Sequence, residues 1–373
     1  MVLITQRRTD APDAPPEPPP RPRTGRIAVL DGLRLVAALM VVGYHFLAYD
    51  RGSAKPWGVA SDVAFPGLWR AASYGWLGVE LFFLISGFVI AMSAWDRTPG
   101  AFVRSRVTRL FPAYWAAVLL TFAVLTLWPL VRDPVSASEL LVNLTMLHEP
   151  LGVRSVDAVY WTLWVEARFY LLFAVLLAWP GGLSVRKGAV FGGVWLVAAV
   201  VAHQADVPAL DVVVMPDYAP YFVAGLALYL IHRGGGHPLL WGLTGVSYLL
   251  AQHHVATMVG RVSRTLDRPL AGWPALLLVT LCFAAMALIA TRRLDRVRWR
   301  WLTVAGALTY PLYLLHEYIG WTMIAALHPL LPRWAVLAVV VAAVTGAAWL
   351  LHRFVERPLG RVLRDRLSRS LPG

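Results

Sequence analysis

Apolar stretches of about 20 residues, long enough for a helix to cross a hydrocarbon core, recur along the whole chain. They fall near residues 27–48, 75–95, 109–130, 158–179, 188–204, 214–231, 239–259, 272–291, 301–325 and 334–354. The pattern predicts an all-α, polytopic membrane bundle of about ten transmembrane helices. The seventh run is the weakest, because Gln252, His253 and His254 sit inside it. The polar segments between runs alternate in charge. Arg97, Arg104, Arg106 and Arg109 lie in one, Arg186 and Lys187 in another, and Arg292, Arg293, Arg296, Arg298 and Arg300 in a third. The stretch from Arg353 adds Arg357, Arg361, Arg364, Arg366 and Arg369. Ten crossings put all of these on the side of the N-terminus, so both termini are expected to be cytosolic. Arg261, Arg264 and Arg268 run against that rule.

Residues 1–26 are Pro-rich and basic, and read as a disordered cytosolic tail rather than a signal peptide. Residues 27–357 form the membrane domain, and 358–373 a short basic cytosolic tail. No repeat of fixed period and no soluble second domain stand out.

The chain has 373 residues, of which 58% are hydrophobic and 15% charged, with a mean hydropathy of +0.60. A soluble chain of this size carries about a quarter charged residues. The net charge of +13 would point to nucleic acid on a soluble protein. Here the cations cluster between apolar runs, so membrane topology accounts for them and no nucleic-acid partner is expected. Cys282 is the single cysteine, which leaves no disulfide framework and no Cys-based metal site. No metal and no permanently bound cofactor are expected.

Ionisable residues inside apolar runs are costly, and usually face the bundle interior with a job there. Leu30-Asp31-Gly32-Leu33-Arg34 runs on to Tyr44-His45-Phe46 in the first run. Arg34 and His45 are eleven residues apart, close to three helical turns, so both leave one face about 16 Å apart along the axis. Arg34 alone reads as a snorkelling cation; the pair reads as a path from the cytosolic surface into the membrane. His45 suits a general base, and Asp31 is placed to orient Arg34 through an i,i+3 pair. Arg106 and Arg109 share one face at the membrane surface, where two guanidiniums make a phosphate fork. Glu80 is an acid in the second run, beside Ser86 and Gly87, which read as small packing residues rather than a nucleophile elbow. Glu166, one turn before Tyr170, reads as an interfacial acid or as an orienter of an imidazole or sugar hydroxyl. His316 follows Tyr310-Pro311-Leu312-Tyr313, a proline kink before an intramembrane histidine.

In this order these pieces resemble the membrane-bound acyltransferase family 3, the bacterial O-acyltransferases. The likeness rests on LDGLR with Arg34-x10-His45, GVELFFLISGFVI, Arg106-x2-Arg109-LFPAYW, WTLWVEARFY and YPLYLLH, and extends from Leu30 to Glu356-Arg357-Pro358. It is closest to the stand-alone type that lacks a soluble esterase-like extension. The resemblance implies an acyl-CoA donor, acetyl-CoA first among them, used from the cytosolic side. It implies that Arg34, His45, Arg106 and Arg109 are required, with supporting places for Glu80, Glu166 and His316. The expected activity is transfer of an acyl group to a hydroxyl of a carbohydrate, lipid-linked sugar or macrolide-type acceptor, in a multi-pass protein of the plasma membrane. His45 and Glu166 are the expected catalytic residues, and Arg34, Arg106 and Arg109 the donor site. Asp31, Glu80, Tyr170 and His316 are expected in support. The rival reading is a proton-coupled transporter with His45, Glu80, Glu166 and His316 as relay groups.

Overall fold

The computed structural model describes residues 27–50, 55–205 and 207–370. The basic N-terminal stretch read as a tail lies outside the described residues. Every expected span is helical. The first crossing is α1 (Ala28–Leu47). Two short helices on the far side, α2 (Ser61–Ala64) and α3 (Pro66–Ala72), lead into α4 (Leu77–Ala94). Thr98 caps α5 (Pro99–Leu127), with its side chain accepting from the Ala101 amide and Pro99 in the first turn, where no N–H is missed. A capping box between Ser136 and Glu139 starts α6 (Ala137–Leu144). The return crossing is α7 (Trp161–Ala178), followed by α8 (Val185–Ala205) and the short α9 (Pro208–Val214). Then come α10 (Ala219–Gly234), α11 (Pro238–Leu266) and α12 (Gly272–Ala290). The ninth run is two helices, α13 (Arg300–Leu315) and α14 (Glu317–Leu327). Pro311 lies inside α13, and the run is broken at His316, five residues on. Last are α15 (Arg333–Leu351), a π turn at His352–Glu356, and α16 (Arg357–Ser370). Residues 358–370, expected as a tail, are therefore structured.

Among the described residues, eight helical stretches are long and apolar enough to cross a membrane. The other two runs are helical but more polar. The seventh, α11, is one unbroken helix of 29 residues. Its polar side chains are paired inside the bundle: Gln252 Nε2 donates to Thr280 Oγ1 at 2.9 Å, and His254 Nδ1 lies 3.2 Å from Asp217 Oδ1. Pairing of this kind removes the penalty that makes such residues look foreign to a span.

Two close contacts hold the centre. On α4 and α10, a Cβ added at Gly87 would fall 2.2 Å from the Phe222 carbonyl oxygen, and one at Gly225 would fall 2.2 Å from that of Leu84. Backbones approach this closely only where side chains are missing. The same device brings α4 against α1, where a Cβ at Gly78 would meet the Ala37 carbonyl at 2.4 Å. With α13 on the other side of α1, these helices enclose the polar residues of the first run.

Candidate active site

Alternating crossings put the arginine-bearing ends of α5, α8 and α13 at one face of the bundle, with α16. The C-terminal end of α1 lies at the other. Arg34 sits two turns into α1 from the arginine-rich face and lines a narrow cavity of about 90 Å³. Arg106 and Arg109 from α5, Glu166 and Tyr170 from α7, and Ser86 from α4 line the same cavity. Glu166 Oε1 accepts a 2.6 Å hydrogen bond from Ser86 Oγ. Arg106 is held over the rings of Phe102 and Tyr170, at 5.6 and 6.0 Å from their centroids. It is buried, and its Nε has no hydrogen-bond partner. A buried guanidinium with an open donor is poised for an anion. Arg34, Arg106 and Arg109, the residues expected to form a donor site, are thus brought together from two helices, with Tyr170 beside them.

His45 opens instead onto a wider vestibule of about 690 Å³ at the opposite face. Tyr44, Tyr49, Trp76 and Trp161 give this vestibule aromatic walls. Three contacts fix the imidazole. Trp321 Nε1 donates to the His45 carbonyl at 2.8 Å and so ties down its backbone. His45 Nδ1 lies 2.9 Å from His316 Nε2, and His316 Nδ1 lies 2.8 Å from the Tyr313 carbonyl oxygen. A carbonyl only accepts, so His316 carries its proton on Nδ1. Its Nε2 then accepts from Nδ1–H of His45, which leaves the lone pair of His45 on Nε2. That atom lies 3.9 Å from Glu317 Oε2, and Glu317 also lines the vestibule. Asp157, in the loop before α7, is fully buried and hydrogen-bonded to Glu317, and burial pushes its carboxyl up to about 6. Its Oδ1 and Oδ2 accept from the Val159 and Tyr318 amides at 3.3 Å each.

The orienting partner of His45 is therefore His316, and the expectation that Glu166 does this is corrected. Glu166 belongs to the arginine cavity, with its carboxylate engaged by Ser86. The open path expected along α1 is also corrected. Val79 and Tyr313 line both cavities and stand between them. The Tyr313 hydroxyl is held at 2.8 Å from Thr162 Oγ1 and donates to the Val159 carbonyl at 3.2 Å. Asp31 is buried against α13, where a Cβ at Gly306 would fall 2.5 Å from its own Cβ. Glu80 lines neither cavity; its Oε1 faces His254 Nε2 at 3.8 Å.

Sequence reasoning missed Glu317, Tyr313 and Ser86 as site residues. Glu317 carried a signal, since an acid directly follows a histidine in the middle of an apolar run. Ser86 and Tyr313 carried none, because each depends on which helix it meets.

A family model described as Acyltransferase domain matches residues 27–353. The chain is similar to Acyltransferase MdmB of Streptomyces mycarofaciens, 26% identical over 92% of this chain and 94% of that protein. It is also similar to O-acetyltransferase OatA of Staphylococcus aureus, 29% identical over 40% of this chain and 24% of that protein. No solved structure matches.

Proposed function

Because the chain belongs to the acyltransferase family 3 and is a multi-pass membrane acyltransferase, we propose that it transfers an acyl group from acyl-CoA to a hydroxyl of a glycosylated acceptor. The donor enters from the cytosol at Arg34, Arg106 and Arg109. Its pantetheine arm reaches into the narrow inner cavity. The acceptor occupies the aromatic vestibule on the opposite side, in the plasma membrane, where rings offer flat faces to a sugar or macrolide. The thioester meets the acceptor where Val79 and Tyr313 part.

In the reaction, His45 Nε2 takes the proton of the acceptor hydroxyl as its oxygen attacks the thioester carbonyl carbon. The C–S bond breaks, the acyl group stays on the acceptor oxygen, and the thiolate of CoA takes up the proton. The observation that carries this reading is the His316–His45 pair, which leaves Nε2 of His45 as a free base toward the vestibule. The similarity to Acyltransferase MdmB across 94% of its length supports acyl transfer as the reaction.

The test is mass spectrometry of small molecules and glycans from cells carrying the protein or its His45→Ala variant. An acyl mass increment that disappears in the variant, at equal membrane abundance, is expected. The same increment with His45→Ala would remove His45 from the chemistry.

A further inference from the structure

A cleft of about 560 Å³ opens at the arginine-rich face, between the start of α5 and α16. Arg106 and Arg109 line both this cleft and the inner cavity. The facing wall carries Arg353, Arg357, Arg361 and Arg364. Arg357, Arg361 and Arg364 are spaced by four and three residues, which stacks them on one helix face. That face is turned to α5 by the π turn at His352–Glu356. The two helices pack closely, and a Cβ at Gly360 would meet the Thr108 carbonyl oxygen at 3.1 Å.

Six guanidiniums thus surround one concavity. Its single carboxylate, Glu356, is engaged by His352 Nδ1 at 2.7 Å. Among the described residues none of the six forms an ion pair with a carboxylate. Arg106 is buried and the other five are exposed along the cleft, so cations from two elements share one gap and a multivalent anion there would relieve their mutual repulsion.

We propose that the cleft holds the phosphate-bearing end of the donor, the 3′-phosphate and diphosphate of CoA. The pantetheine arm then passes Arg106 and Arg109 into the inner cavity. This rests on the acyl-CoA reading above and assigns α16 to donor recognition.

Two measurements on the purified full-length protein in neutral detergent test it. The first is calorimetric binding of adenosine 3′,5′-bisphosphate, which needs no turnover. The second compares KM for acetyl-CoA with that for S-acetylpantetheine, which has no phosphates. The variant Arg357→Gln/Arg361→Gln/Arg364→Gln should weaken bisphosphate binding on the order of tenfold or more. Its KM for acetyl-CoA should rise in parallel, while S-acetylpantetheine shows a change of less than about twofold. Unchanged bisphosphate binding, or an equal rise for both donors, would overturn the proposal. Lipid headgroups are the other source of phosphate. If the variant loses affinity for phosphatidylglycerol vesicles but keeps the bisphosphate, the cleft serves lipid and the proposal fails. Arg361→Gln alone repeats the test with minimal disturbance of α16. Tight bisphosphate binding by a protein that turns over neither donor would sink the acyl-CoA reading while leaving the anion site in place.

Discussion

His45 Nδ1 and His316 Nε2 lie 2.9 Å apart, although 271 residues separate them in the chain. The contact ties the end of α1 to the break between α13 and α14. It also sets which nitrogen of His45 is basic, since the Tyr313 carbonyl fixes the proton of His316 on Nδ1.

His316→Ala removes the acceptor for Nδ1–H of His45 and frees the ring to rotate and change tautomer. The expected result is a fall in kcat of about 10²-fold, with little change in the KM for acetyl-CoA. Steady-state release of CoA thiol measures both. A matching loss of donor affinity would mean that His316 serves the arginine cavity instead.

Tyr313 closes the partition between the two cavities through its hydroxyl contacts with Thr162 and Val159. Tyr313→Phe keeps the ring but loses both contacts, each worth about 1 kcal/mol. The partition should open more often and admit water, so CoA release without acceptor should rise several-fold over wild type. Val79→Phe should do the opposite and lower kcat without affecting donor binding. Both are read in the same thiol assay with acceptor omitted or supplied.

Ser86 donates a 2.6 Å hydrogen bond to Glu166, and the reading of Ser86 as a packing residue and not a nucleophile is open to test. Ser86→Ala should retain activity within about tenfold and lose about 1–2 kcal/mol of stability, the usual effect of leaving a half-buried carboxylate one partner short. Intact-protein mass spectrometry after mixing with acetyl-CoA should show no adduct on Ser86. A trapped acetyl group there would reverse the assignment.

Gly87 and Gly225 meet across the α4–α10 contact, with no room for a methyl group on either side. Gly87→Ala must push two backbones apart and should cost about 2 kcal/mol or more. Lower yield of folded, monodisperse protein and a depressed unfolding temperature in detergent are the expected readouts. Gly193→Ala, where nothing lies within 4 Å of the added carbon, is the matched control and should behave as wild type.

His148 lies in the loop after α6, outside the spans, with no exposure and no partner for either ring nitrogen. Burial pushes its pKa down to about 4, from 6.5 in an unfolded chain. A base whose folded pKa is depressed resists protonation only when folded. Its stability contribution is therefore full above pH 6.5 and is lost as pH falls toward 4, at up to about 1.4 kcal/mol per pH unit. His148→Leu should flatten that loss. Thermal unfolding of both proteins at pH 7 and pH 5 checks it: wild type should drop further than the variant.

Much of the fold was legible because crossing a membrane forces a long apolar helix, whatever its neighbours. The first run, placed at 27–48, is α1 at Ala28–Leu47, and the eighth, at 272–291, is α12 at Gly272–Ala290. The third was placed to start at 109, but the helix begins at Pro99, because its first turns are basic and carry no apolar signal. His254 of the seventh run looked foreign to a span; its carboxylate partners, Glu80 on α4 and Asp217 in the turn before α10, are invisible to a local pattern.

The sequence by itself determined that the chain threads a membrane, which loops are basic, and that Arg34 and His45 leave one face of one helix. Helical periodicity is a local property, and a window of about 20 residues contains it. Only the tertiary structure decided that those two residues open into different cavities, that His45 answers to His316 and not Glu166, and that α16 folds its arginines back toward Arg106 and Arg109. These pairings are set by how far each helix is rotated and how closely small residues let its neighbours come. Both quantities belong to the packed bundle and to no single segment of it.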